Sequence, residues 1–240
     1  MSKLLKSISK RLFWKQHLNE AIQQIQTIRQ ELVSPEMFIA APLLFKGKGY
    51  YQSMEAKQNL AELLGVSRAL AGIELNHVCE IGTHKGGTLF IWCQLASPGA
   101  KIISIDLPGG AFGGGYATRS LPFFQSFAKP QQQLMFIRGD SHSMAIQQEF
   151  KTNLQGKMLD FLLIDGDHSY MGVKSDFDHY APFVRKGGII AFHDIVKRPE
   201  YPEIEVWKYW EEIKSKYEAK VFIDDSATRR KIGIGIIYKR

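Results

Sequence analysis

Two short stretches set carboxylates and imidazoles directly after apolar runs. In LLIDGDHSY, Leu162 to Tyr170, the apolar run is followed by Asp165, Asp167 and His168; in GGIIAFHDI, Gly187 to Ile195, a second run closes on His193 and Asp194. Asp, Gly and Ser are also ordinary turn residues, and Asp167 and Ser169 read as turn and helix-cap residues of that kind. Three further apolar runs end near an acid: Glu80, Asp106 and Asp140. Carboxylates gathered at one edge repel one another, which suggests a ligand with many hydroxyls or positive charge, a metal, or both.

The elements that must position these residues follow from periodicity. Strands are expected at His77–Ile81, Lys101–Ile105, Leu134–Arg138, Asp160–Ile164 and Gly188–Phe192, with helices near Thr88–Ala96, Arg119–Ala128, Ser143–Leu154 and Met171–Phe183 between them. That alternation marks parallel α/β construction. A helix at Ile204–Tyr217 precedes AKVFIDD and KIGIGIIYKR, two strands too close together for a crossover helix, so they should pair antiparallel. The expected fold is a doubly wound, Rossmann-like sheet of five parallel strands plus a C-terminal antiparallel pair, in a domain spanning residues 76–240. In such a sheet the ligand crevice lies outside the carboxyl ends of the strands, where all five acids fall.

The first 75 residues read differently. Apolar positions recur at helical spacing from Leu12 to Leu32, with a stop at Ser34-Pro35, a loop through APLLFKGKGYY and a second helix from Ser53 to Leu70. This N-terminal section is expected to cap the acceptor site or to form a dimer contact.

The chain of 240 residues has the composition of a globular protein, 45% hydrophobic and 23% charged, with a formal net charge of +7. The basic residues are spread along the chain, concentrating slightly at Lys3–Lys15 and Arg229–Lys231, and no nucleic-acid-reading motif accompanies them, so no nucleic-acid partner is expected. Cys79 and Cys93 lack the spacing of a zinc site or the number of a disulfide framework and are expected to be buried thiols in a reducing compartment. No apolar run reaches signal-peptide or membrane-spanning length, which places the expected localisation in the cytoplasm.

The turn CEIGTHKGGTLF carries Gly82, Gly86 and Gly87 between the first strand and its helix. Either it is a tight turn or it brings backbone amides at a helix start up to a carboxylate or phosphate. Its G-x-x-x-G-G spacing departs from the G-x-G-x-x-G of dinucleotide-dependent oxidoreductases, which disfavours that alternative. Asp106 stands 26 positions after Glu80, where a ribose-binding carboxylate belongs in this kind of fold, and Asp140 with Ser141 could flank an adenine. The loop LPGGAFGGGYATRS, with glycines over 109–115, is either a mobile flap, with Tyr116 and Arg119 as contacts, or a connector. Phe123, Phe124 and Phe127 are expected in the core, and His84, His142 and His179 on the surface or in loops.

Glu80-Ile-Gly, Asp106 and Gly139-Asp140-Ser141 together resemble the cofactor site of class I S-adenosylmethionine-dependent methyltransferases. The run LLIDGDHSYMGVKSDFDHYAPFVRKGGIIAFHD resembles a narrower branch, related to cephalosporin-hydroxylase-like proteins and to macrolide-sugar and rhamnosyl O-methyltransferases. The resemblance covers Val78 to Asp194 well, the closing strands loosely, and the N-terminal section not at all. It implies that Glu80, Gly82, Thr83 and Gly86 hold the methionine part of the cofactor, Asp106 its ribose, and Asp140 and Ser141 its adenine. It further implies a divalent ion on Asp165, His193 and Asp194, with His168 as the base. His193 stands where some relatives carry an acid, and as a softer ligand it tilts the preference from magnesium toward manganese, iron or zinc; a packed strand-end imidazole is the competing reading. The expected activity is metal-assisted O-methylation of a small-molecule acceptor, a sugar or sugar-bearing compound, with a non-catalytic nucleotide-binding module as the alternative on the same fold.

Overall fold

The computed structural model describes residues 10–110, 112, 114–226 and 231–240. Lys3, Lys6, Arg229 and Arg230 of the two basic concentrations, and Ala111 and Gly113 of the glycine-rich loop, lie outside these described residues. Seven strands form one sheet: β1 His77–Ile81, β2 Lys101–Asp106, β3 Gln133–Arg138, β4 Leu159–Ile164, β5 Val184–His193, β6 Glu218–Phe222 and β7 Ile234–Tyr238. Their order is β3-β2-β1-β4-β5-β7-β6. β1 to β5 pair parallel, and β7 enters between β5 and β6, antiparallel to both. The closing strands therefore pair as expected, and β7 is the reversed strand.

The strands are nearly continuous apolar runs because both sheet faces are covered. Ile102, Phe161, Leu163, Ile189 and Ala191 point into one buried cluster, and Ile103, Leu162, Ile164, Ile190 and Phe192 into the other. The first cluster is closed by α1 Trp14–Glu31, α2 Pro35–Leu44, α3 Leu60–Leu70, α4 Gly87–Leu95 and α5 Leu121–Gln125; the second by α6 Met144–Leu154, α7 Tyr170–Tyr180 and α8 Val206–Ile213. Phe123, Phe124 and Phe127 are core residues, and both cysteines are buried free thiols. Among the described residues no helix is long and apolar enough to cross a membrane.

Two expectations for the N-terminal section are corrected. Ser34-Pro35 does end α1, but it also starts α2: the Ser34 hydroxyl accepts from the Met37 amide, and proline occupies the first turn, where its missing N–H is no loss. The second helix begins at Leu60 rather than Ser53, because Asn59 and Glu62 form a capping box. The stretch 52–59 is instead a non-helical strap lying against the glycine turn, where the Gly87 amide donates to the Glu55 carbonyl at 3.0 Å.

Candidate active site

The sheet register brings the strand ends together. Ile81 pairs with Ile164 and Ile164 with Phe192, so Gly82, Asp165 and His193 emerge side by side. Gly82 must lack a side chain there: its φ is +90°, and a Cβ would lie 1.9 Å from the Asp165 carbonyl oxygen. A cleft of about 920 Å³ opens over these ends, a size ordinary for a small-molecule site. Gly82, Asp106, Asp140, Ser141, Asp165, His168, His193 and Asp194 line it.

At the β1–β3 end the acids are held by backbone and core. Asp106 Oδ2 accepts from the amides of Thr83 at 3.1 Å and His84 at 2.7 Å, while burial raises its pKa. Asp140 Oδ1 accepts from the His142 amide at 2.9 Å, and the Ser141 hydroxyl donates to the fully buried Asp176 at 2.7 Å. His142, expected to be a loop residue, lines the cleft and stands 3.3 Å from Asp176, whose hydrogen bond raises its pKa to about 9. His84 also lines the cleft, and burial lowers its pKa.

Three residues expected to hold cofactor turn elsewhere. Glu80 is fully buried and does not reach the cleft: Trp92 Nε1 donates to its Oε2 at 2.7 Å, and burial pushes its pKa up to about 8. Thr83 is buried with its hydroxyl 2.7 Å from Ser104 Oγ, so only its amide faces Asp106. Gly86 adopts φ +78° under the rings of Phe124 and Phe127, where a Cβ would intrude. These residues shape the turn from behind. In the glycine-rich loop, Tyr116 is buried with its hydroxyl 3.2 Å from Ser104 Oγ, and Arg119 stacks on Tyr50; Phe112 instead reaches the His168 ring, 5.2 Å between centroids.

At the β4–β5 end the acids are held by other side chains. One donor atom each from Asp165, His168 and Asp194 lies within 4.8 Å of the others, a cluster able to hold a metal ion. His168 Nδ1 is 2.7 Å from Asp194 Oδ2, and its Nε2 is 3.7 Å from Asp165 Oδ1. His193, the other expected ligand, lies beside that cluster: its Nδ1 is 2.9 Å from Asp165 Oδ1 and 3.6 Å from Asp194 Oδ2, and its buried Nε2 has no partner among the described residues. Burial opposes charge on His193, but Asp165 and Asp194 outweigh it and raise the pKa to about 9. Asp194 takes φ +62°, a region Asp tolerates better than most residues, which turns its carboxylate back toward His168. Burial pushes its pKa up, yet His168, His193 and Arg198 together hold it below the ordinary carboxylate range. Arg198, buried and paired with Asp194, lines the cleft too, with Tyr201 close by and its guanidinium 5.0 Å from that ring. No motif marked Arg198 or Tyr201; their only signal was proximity to the HD pair.

Asp167 and Ser169 behave as turn and cap: Asp167 Oδ1 accepts from the Ser169 amide, and the Ser169 hydroxyl accepts from the Gly172 amide. His179 is exposed on α7, bonded to Ser175.

The strand order, with β7 antiparallel between β5 and β6, and the cleft beyond the strand ends are those of a Rossmann-like methyltransferase fold. Residues 79–195 match the family described as a methyltransferase domain. Among solved structures, an O-methyltransferase from Bacillus cereus in complex with SAH superposes with a TM-score of 0.58 at 13% identity, covering 89% of this chain and 96% of that one. MycE methyltransferase, in complex with Mg and SAH, gives 0.52 at 14% identity over 87% of this chain and 56% of that one. An uncharacterized protein of Acanthamoeba polyphaga mimivirus is 53% identical over 115 residues, covering 48% of this chain and 49% of its own length. An uncharacterized protein of Sinorhizobium fredii is 27% identical over 139 residues, covering 57% of this chain and 15% of its own length. The chain thus spans less than half the length of either curated relative. Residues 79–195, just under half of the chain, are similar to a methyltransferase domain, and the chain shares its fold with these O-methyltransferases.

Proposed function

We propose that the protein is an O-methyltransferase that moves the methyl group of S-adenosylmethionine to a hydroxyl of a sugar or sugar-bearing small molecule, assisted by a divalent metal ion. The observation that carries this reading is the convergence of Asp165, His168 and Asp194 in the same cleft as Asp106 and Asp140. Both cofactors fit the residues present. Asp106 faces the cleft with its carboxylate already fixed by two amides, suited to a ribose diol, and Asp140 and Ser141 border the adenine end. Two carboxylates and an imidazole make a donor set that suits manganese, iron or zinc as well as magnesium.

When bound, S-adenosylmethionine supplies an electrophilic methyl group and the divalent ion a Lewis acid that lowers the pKa of a hydroxyl. The side chains do the rest. Asp165, Asp194 and His168 are the side chains that would hold the ion. Arg198 and His193 neutralise the two carboxylates from behind, which keeps two buried charges from repelling each other. Phe112 and Tyr201, each more than a third exposed, flank the cleft as flat apolar faces against which a sugar ring can lie. The strap residues Glu55, Ala56, Lys57 and Asn59 also line the cleft, which supports reading the N-terminal section as a cap over the site.

A second reading is favoured by the 2.7 Å contact between His168 Nδ1 and Asp194 Oδ2. A carboxylate on one imidazole nitrogen leaves the other, Nε2, to take the acceptor's proton without a metal. Transfer of labelled methyl from S-adenosylmethionine to a panel of sugars, nucleotide sugars and phenols, with magnesium, manganese or excess chelator, separates the two. Loss of turnover in chelator supports the metal reading; equal turnover leaves the His168–Asp194 pair as the base; no transfer to any hydroxyl, with S-adenosylmethionine still bound, returns the chain to a binding module.

A further inference from the structure

The corrected start of α3 leaves Gln58 in an unexpected place. From the strap, its Nε2 donates to Asp165 Oδ2 at 2.6 Å, across 107 positions of sequence. Asp165 Oδ1 meanwhile faces His193 Nδ1 at 2.9 Å. The carboxylate is therefore gripped at both oxygens, by a neutral amide from the N-terminal section and an imidazole from β5. Gln58 is only 8% exposed, and its buried Oε1 has no partner among the described residues. Turning the amide over would set that oxygen against a carboxylate, so the contact with Asp165 fixes the orientation at the expense of the carbonyl.

The strap that carries Gln58 is itself pinned. On one side Glu55 receives the Gly87 amide through its carbonyl and Lys85 Nζ at 2.6 Å through its carboxylate, which that lysine holds down to a pKa of about 2. On the other, the Asn59 amide donates to the buried Glu62 at 2.9 Å. Gln58 sits between two anchored residues, so its reach to Asp165 is set by the fold rather than by a free side chain. Groups that hold a ligating carboxylate from behind fix its plane and tune its affinity for a metal.

We propose that Gln58 is a positioning residue: it orients Asp165 for divalent-metal binding and thereby makes the N-terminal strap a working part of the site. This rests on the metal reading given above. The test measures Mn²⁺ binding to the full chain by electron paramagnetic resonance, beside SAH affinity by calorimetry and the melting temperature. Four proteins are compared: wild type, Asp165→Asn, Gln58→Met and Gln58→Leu. Both Gln58 variants should weaken Mn²⁺ binding about tenfold or more, a typical cost of losing such a partner, with SAH affinity unchanged. Gln58→Met keeps the length and flexibility of glutamine, so it carries the comparison if the branched leucine disturbs the strap. Asp165→Asn should lose Mn²⁺ outright. If Asp165→Asn loses Mn²⁺ while both Gln58 variants bind within twofold of wild type, the role of Gln58 is overturned and the metal reading survives. If Asp165→Asn binds Mn²⁺ like wild type, the metal reading falls, and the role of Gln58 with it.

Discussion

The two ends of the cleft hold their acids by different means. Beyond β1, β2 and β3, Asp106 and Asp140 are fixed by backbone amides within a few residues or one strand away, and Glu80 is sealed in the core against Trp92. Beyond β4 and β5, Asp165 and Asp194 are fixed by Gln58, His168, His193 and Arg198, side chains drawn from three separate segments. Backbone amides come with the fold and carry no net charge. The side chains at the second end, a neutral amide, two imidazoles and a guanidinium, can be removed one at a time. The first end is fixed by the fold itself; the second is balanced by side chains set against each carboxylate.

Four substitutions or conditions probe that contrast, in falling order of expected effect. Arg198→Met leaves Asp194 buried with less compensation and should cost about 4 kcal/mol of stability, as breaking a buried pair does; denaturant unfolding measures it, and a cost below about 1 kcal/mol would mean that Arg198 matters little to the balance. Next comes pH. His193 has its pKa raised from 6.5 to about 9, so in the metal-free protein its contribution is complete below about pH 6.5 and is lost as pH rises through 9, roughly 3 kcal/mol over that window. Unfolding curves against pH should show this loss, and His193→Gln should flatten it. Glu80, raised from 4.5 to about 8, adds a loss of the same sign that begins lower and overlaps the His193 window, so the loss that survives in His193→Gln is the one belonging to the other end.

Asp106→Ala removes the carboxylate proposed for the ribose and should weaken S-adenosylmethionine binding about thirtyfold, near 2 kcal/mol, in calorimetry. Unchanged affinity would show that the cofactor end does not depend on it. The smallest effect belongs to Trp92→Phe, which leaves Glu80 without its indole partner in the core. About 1 kcal/mol of stability should be lost, because a carboxyl that burial already favours in its protonated form loses little more.

The same contrast explains what could be read from the residues alone. The five parallel strands and their helices followed from apolar runs and periodicity, and Gly82, Asp106, Asp140 and Ser141 followed from short spacings, because those contacts are local or lie one strand apart. The pairing of Asp165 with His193 is also implicit in strand register once the sheet order is known. Gln58 and the His142–Asp176 contact were out of reach, since each acts across a distance that no spacing encodes, whereas Arg198 stands four positions from Asp194 and was missed because no motif marks it. The strap was missed for a different reason: the Asn59–Glu62 capping box was visible, but apolar residues upstream extended the helical pattern past it. Glu80 shows the limit of analogy, since an acid at the expected position turned inward, where burial and a tryptophan decide its state.

Glu62 has a last consequence, for the order in which the chain acquires its structure. Its buried carboxylate caps α3 and also accepts the Gly233 amide at 2.9 Å, from the turn that leads into β7. β7 itself lies inside the sheet, between β5 and β6. A nascent chain that has emerged only as far as β6 therefore lacks an inner strand and leaves a fully enclosed carboxylate in the N-terminal section one donor short. Contacts at such separation are slow to form. Folding should thus complete late, after β7 is available, and the strap that reaches Asp165 should become rigid only then. A truncation series ending before Gly233 should leave residues 52–62 open to proteolysis that the full chain resists.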